Sequence, residues 1–101
     1  MASFVKVAKV ADLPEGSAKL VEAGGKQIAL FNAGGKFYAI DNTCKHRGGP
    51  LAEGELDGTT IACPWHGWEY DITTGANLDD ASIKLGCYAV KADGDDILIE
   101  A

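Results

Sequence analysis

The sequence predicts an all-β protein: an antiparallel β-sandwich with a small β-rich subdomain inserted after the strand that ends at Ile40. Three observations carry that expectation. Short apolar runs are separated by turns of two to four residues containing glycine, which is the hairpin signature. No segment keeps a 3.6-residue apolar period over the roughly 10–12 residues that a helix needs. Glycine makes up 13 of 101 residues, as suits a turn-rich chain that forms one compact domain.

The elements follow in order. Phe4-Val5-Lys6-Val7 opens as a strand, and Ala11 to Gly16, with Pro14, makes a turn. Ala18–Ala23 and Lys26–Phe31 flank Gly24-Gly25, a two-residue hairpin connection. Lys36–Ile40 follows the turn Asn32-Ala33-Gly34-Gly35. Near the end of the chain, Cys87–Lys91 and Asp96–Glu100 bracket Ala92-Asp93-Gly94-Asp95 as a last hairpin. There is no internal repeat, low-complexity tract or linker.

Between Ile40 and Cys87 lie the residues with the most distinctive chemistry. Cys44-Lys45-His46 is followed, after sixteen intervening residues, by Cys63-Pro64-Trp65-His66, and these couples use both histidines of the chain. Thiolate plus imidazole is a metal-ligating donor set. Structural zinc accepts two of each, but its common frameworks separate the sulfurs from the histidines, as C-x2-C followed by H-x3-5-H. One sulfur and one nitrogen per segment suit two irons side by side, one taking both sulfurs and the other both imidazoles. Zinc stays open as the competing reading; it predicts a colourless, redox-silent binding module.

The segments Cys44-Lys45-His46-Arg47-Gly48-Gly49-Pro50-Leu51 and Cys63-Pro64-Trp65-His66-Gly67-Trp68-Glu69-Tyr70-Asp71, with the Thr74-Gly75 turn, resemble the two cluster loops of the Rieske family. The resemblance is strongest over residues 36–75. It implies one [2Fe–2S] cluster per chain, held in a cluster-binding subdomain of about residues 42–72. It makes Cys44 and Cys63 ligands of the buried iron, and His46 and His66 ligands of the outer one through Nδ1. Around them, Lys45 and Arg47 bracket His46 as charge for docking or tuning. Gly48, Gly49 and Gly67 serve either close backbone approach to the cluster or simple turn geometry.

The resemblance also selects a branch. Rieske subunits of cytochrome bc complexes carry an extra cysteine in each loop, joined as a disulfide; Gly49 and Trp65 stand at those positions and cannot form it. Trp68 replaces the branch's serine, which donates to a bridging sulfide. Tyr70 matches a tyrosine that bonds a ligand cysteine sulfur in high-potential members. Hydrogen bonds to sulfur favour the reduced, more negative cluster, so the balance implies a potential on the order of −150 to 0 mV, low in the Rieske range. Two imidazoles in place of two thiolates also make the site less negative, which places it above a plant-type ferredoxin. The family's proline-rich third loop corresponds to Ala76–Ser82, which has no proline and carries Asp79 and Asp80. That departure bears on how the cluster is shielded, and on how negative its surroundings are.

Formal net charge is −6, which argues against nucleic acid and anionic membrane surfaces as partners. No run approaches the roughly 20 apolar residues of a membrane span, and residues 1–12 lack the pattern of a secretory signal. The expected compartment is the cytoplasm. Of three cysteines, Cys87 is left over, and its apolar run suggests a core or strand cysteine. No histidine remains for a second, two-His-one-carboxylate iron, so no catalytic residue is expected. What the resemblance implies is a soluble one-electron carrier, a ferredoxin passing electrons from a flavoprotein reductase to a terminal oxygenase of the ring-hydroxylating type. The alternative is a Rieske-type small subunit of a larger oxidoreductase such as nitrite reductase.

Overall fold

Among the described residues, alternating apolar residues and tight turns produce ten short strands: β1 (Phe4–Lys9), β2 (Ala18–Ala23), β3 (Lys26–Ala33), β4 (Lys36–Asp41), β5 (Glu55–Asp57), β6 (Thr60–Ala62), β7 (Glu69–Asp71), β8 (Cys87–Tyr88), β9 (Val90–Asp93) and β10 (Asp96–Glu100). The computed structural model describes residues 4–44, 49–65 and 67–100. All strand pairings are antiparallel, in three sheets ordered β1-β10-β9, β2-β3-β4-β8 and β5-β6-β7. The expected all-β fold is present, and the β5-β6-β7 sheet occupies the stretch between β4 and β8.

The β2–β3 turn is Gly24-Gly25, with φ of 60° and 78°. Two successive positive φ values give the hairpin turn whose twist matches the flanking strands, and glycine adopts it without a Cβ clash. The β3–β4 turn is shorter than the sequence suggests. Ala33 pairs with Lys36, so only Gly34-Gly35 connects the strands, and Asn32-Ala33 remain in β3. Buried Asn32 earns its place there: its Nδ2 donates to Leu13 O at 2.8 Å, and its Oδ1 accepts from Gly35 N–H at 3.0 Å.

β3 is the central strand, and its run Ile28-Ala29-Leu30-Phe31 is fully buried. Successive side chains point to opposite faces. Ile28 and Leu30 pack with Val21, Ala39, Ile97 and Ile99 against the β1-β10-β9 sheet. Ala29 and Phe31 pack with Ile40, Leu51, Ile61, Tyr70, Ile72 and both Cys44 and Cys63. The second apolar layer is therefore the floor of the cysteine-bearing region.

Two expectations change. The strand expected over Cys87–Lys91 is divided: Ile40 pairs with Cys87 and Ala39 with Tyr88, whereas Val90 pairs with Ile99 in the other sheet. The chain crosses between sheets at Ala89, and period-2 alternation is the same on both sides of such a crossing. Second, Val10–Asp12 and Leu51–Glu53 are single 3-10 turns, too short for any periodicity to reveal.

Candidate metal centre

The two cysteine segments are closed in the same way. Cys44 N–H donates to Gly49 O at 3.0 Å, and Cys63 N–H donates to Trp68 O at 2.7 Å, each to the carbonyl five residues ahead. Thr43 and Pro50 form an isolated bridge at the root of the first segment. Asn42 secures that root: its backbone O accepts from Leu51 N–H at 2.8 Å and its side-chain Oδ1 from Ala52 N–H at 2.9 Å. The second segment rises from the β6–β7 ladder, where Ala62 pairs with Glu69, and Gly67 N–H turns back to Cys63 O at 3.0 Å. Paired backbone thus sets each cysteine at the base of a short loop.

The fold then brings the two sulfurs into one place. Cys44 and Cys63 are 2% and 4% exposed and belong to the same buried cluster. A Cβ on Gly49 would lie 2.6 Å from Cys63 Sγ and 3.3 Å from the Trp65 ring. Gly49 is therefore required for close approach of the first segment's backbone to the second segment's sulfur. Gly67 differs: its φ is +73° and no atom of the described residues lies within 4 Å of its Cβ position, so turn geometry accounts for it. Sequence alone left these two explanations undivided.

Tyr70 is fully buried, and its hydroxyl lies 3.4 Å from Cys44 Sγ. Either atom can donate between thiol and phenol; once the sulfur is a thiolate, the hydroxyl is the donor. Trp68 is half-buried against the same apolar cluster, while Trp65 is 56% exposed beside the second cysteine. Lys45, His46, Arg47, Gly48 and His66 lie outside the described residues.

The third segment has no proline, and polar side chains fold it instead. Buried Asn77 accepts from Asp79 N–H at 2.8 Å and Asp80 N–H at 3.0 Å through Oδ1. Asp80 Oδ1 accepts from the Ser82 hydroxyl at 2.6 Å and from Ser82 N–H at 3.0 Å. Those bonds hold the exposed Asp80 carboxyl below the usual carboxylate range. Such side-chain-to-backbone turns fix a loop much as proline does. Three residues beyond the segment, Leu85 is 3% exposed and packs in the cluster with both cysteines.

Cys87 departs from the expected core position. It is on a strand, but β8 is the outer strand of its sheet and the residue is exposed. Its thiol donates to Thr73 O at 3.6 Å. Partial burial of the sulfur pushes its pKa up, with Lys84 opposing and Asp71 reinforcing, which disfavours the reactive thiolate. The sequence gives no role to Asn42 or Leu85, and it places Leu51 and Asn77 within the first and third loops without showing what they hold; Asn42, next to the cysteine segment, is the one whose position offers a signal.

Neither Cys44 nor Cys63 is in a disulfide. Two buried sulfurs on separate loops, one facing a hydroxyl donor, are a donor set that fits an iron–sulfur cluster. The Rieske [2Fe-2S] domain profile matches residues 3–89. The chain belongs to the Rieske family. That membership decides between iron–sulfur and zinc, and it brings one [2Fe–2S] cluster per chain. The Rieske chain is 42% identical over 93 residues to the 3-phenylpropionate/cinnamic acid dioxygenase ferredoxin subunit of Escherichia coli K12, covering 90% of this chain and 87% of that one. Its fold superposes with a TM-score of 0.88 on the ferredoxin of carbazole 1,9a-dioxygenase from Nocardioides aromaticivorans IC177, at 30% identity and 96% coverage of each chain. The same TM-score and identity relate it to a chain in the complex of reduced oxygenase and oxidized ferredoxin of carbazole 1,9a-dioxygenase, covering 96% and 92%.

Proposed function

We propose that Cys44, His46, Cys63 and His66 hold the cluster within a cluster-binding subdomain of about residues 42–72, and that the protein carries single electrons from a flavoprotein reductase to a terminal oxygenase. When bound, the cluster accepts and releases one electron. The surrounding chain does the rest. The twin loops hold two thiolates at the edge of an apolar floor that excludes water. Tyr70 O–H supplies a hydrogen bond to Cys44 Sγ, which steadies negative charge on that sulfur. Trp65, more than half exposed beside the second cysteine, offers a contact surface to a redox partner. Lys45 and Arg47 contribute positive charge next to His46.

The observation that carries this reading is the meeting of Cys44 and Cys63 in one buried cluster across Gly49. The carrier role accords with relatives that are themselves ferredoxin subunits, and the oxygenase as partner accords with the related ferredoxin–oxygenase complex. A cytoplasmic setting agrees with cysteines that form no disulfide. No helix among the described residues is long and apolar enough to cross a membrane. The test is low-temperature EPR of the dithionite-reduced protein, with iron, zinc and acid-labile sulfide assayed on the same sample. A rhombic signal averaging near g ~1.9, the mark of mixed His/Cys ligation, is the expected result. A silent protein without sulfide refutes it.

A further inference from the structure

The polar network beside Cys44 has a role of its own. Asp41 ends β4, three residues before Cys44, and its carboxylate is fully engaged by another part of the chain. Oδ2 accepts from Gly86 N–H at 2.8 Å, and Oδ1 accepts from the Tyr88 hydroxyl. Asp41 N–H also donates to Gly86 O at 2.9 Å. Gly86 has little freedom to change: a Cβ there would lie 2.8 Å from Asp41 Oδ2 and 3.2 Å from the Tyr88 hydroxyl. These bonds span 45 and 47 residues of sequence. They tie the chain just beyond the third segment to the root of the first cysteine segment.

What lies between the tied parts is a cleft of about 580 Å³, lined by Lys26, Gln27, Asp41, Thr43, Cys44 and Leu85. Cys44 and Leu85 are themselves almost fully buried, so the cleft narrows to a floor beside the sulfur-bearing residue. Leu85 precedes the latched Gly86 directly. Its position is fixed on one side by Leu85 N–H to Gly75 O at 2.8 Å, and on the other by the Asp41 bonds. The Tyr88 hydroxyl is bound firmly: burial first, then the hydrogen bond and charge of Asp41, push its pKa up to about 12.

We propose that Asp41 is a positioning residue, whose carboxylate latches the third segment through Gly86 and Tyr88 and thereby limits solvent access to Cys44. This latch adds to the Asn77 and Asp80 turns that hold the third segment, and it rests on Cys44 being a cluster ligand. Asp41→Asn weakens it for a definite reason. An amide has one acceptor oxygen where the carboxylate has two, so the Gly86 N–H and Tyr88 O–H bonds cannot both survive unchanged. The substitution also removes a negative charge from the cleft that reaches Cys44, which favours the more negative, reduced cluster.

The experiment compares the holoprotein with Asp41→Asn, Tyr88→Phe and, as a distant control, Asp93→Asn in the β9–β10 hairpin. Three readouts are taken: hydrogen exchange of the peptide covering residues 83–88, iron loss to a water-soluble ferrous chelator, and the cluster's reduction potential. Asp41→Asn is expected to speed exchange of that peptide and iron loss roughly tenfold, the scale of losing a charge-assisted hydrogen bond. It should also move the potential upward, a change that a purely structural residue would not produce. Tyr88→Phe, which keeps the carboxylate, is expected to speed both rates by a smaller factor, and it carries the test if Asp41→Asn does not fold. Asp93→Asn should match the parent protein. Unchanged exchange in both variants overturns the latch; faster exchange with unchanged iron loss overturns its role in shielding Cys44. A parent protein without a rhombic EPR signal refutes the ligand reading instead, and the exchange arm still judges the latch.

Discussion

Removing the Tyr70 hydroxyl tests how this chain sets the energy of its electron. Tyr70 is fully buried and its oxygen stands 3.4 Å from Cys44 Sγ, within reach for a sulfur acceptor. A hydrogen bond to a charged group contributes about 1.5–3 kcal/mol in all. Only the difference between the oxidised and reduced states moves a potential. Sulfur carries more negative charge in the reduced state, so the bond is stronger there, and a difference of about 0.5–1.5 kcal/mol is reasonable for a bond of this length. For one electron, a tenfold change in equilibrium constant is 59 mV, so Tyr70→Phe should lower the potential by roughly 20–65 mV. Phenylalanine keeps the ring and its packing, which isolates the hydroxyl. The assay is protein-film voltammetry, with EPR on the same samples to establish that the cluster is intact. A shift under about 10 mV with an unchanged rhombic spectrum would refute the reasoning, because the bond would then be equally strong in both states.

Other outcomes follow from the same geometry. Cys44→Ser or His66→Ala should abolish the rhombic EPR signal and the labile sulfide; an intact spectrum in either variant removes that residue from the ligand set. Gly49→Ala should block cluster incorporation, since its methyl would stand 2.6 Å from Cys63 Sγ. Gly67→Ala, strained by its φ of +73°, should cost about 1–2 kcal/mol in chemical denaturation while the EPR signal persists, and equal effects of the two would contradict the separate reasons given for these glycines. Neutralising Lys45 and Arg47 together should slow reduction by the proposed flavoprotein reductase several-fold at low salt and much less at high salt. Stopped-flow rates that do not depend on either change would make both side chains bystanders.

Much of this protein is legible because its strongest signals are local. Hairpins declare themselves through Gly24-Gly25 and Gly34-Gly35, whose backbone freedom acts over two residues, and the Cys/His couples point to a metal site without reference to the fold, leaving iron–sulfur or zinc to be decided by the family match. The signals that failed are those in which one local pattern serves two distant environments. Cys87–Lys91 alternates like one strand yet divides between two sheets. Cys87 looks apolar in its run yet lies at an outer edge, where no further strand covers it.

The sequence by itself determined the two Cys/His couples as candidate ligands, the all-β class and the absence of a cytochrome-type disulfide, since Gly49 and Trp65 have no sulfur to offer. Tertiary structure alone decided which partners those residues meet. Tyr70 reaches Cys44 across 26 residues of chain, and Asp41 reaches Gly86 across 45. The glycine at 49 is required by a sulfur that comes from another loop. Composition and spacing fix what a side chain can do, but a hydrogen bond or a close approach depends on distances of a few ångströms between segments, and those exist only once the sheets have packed.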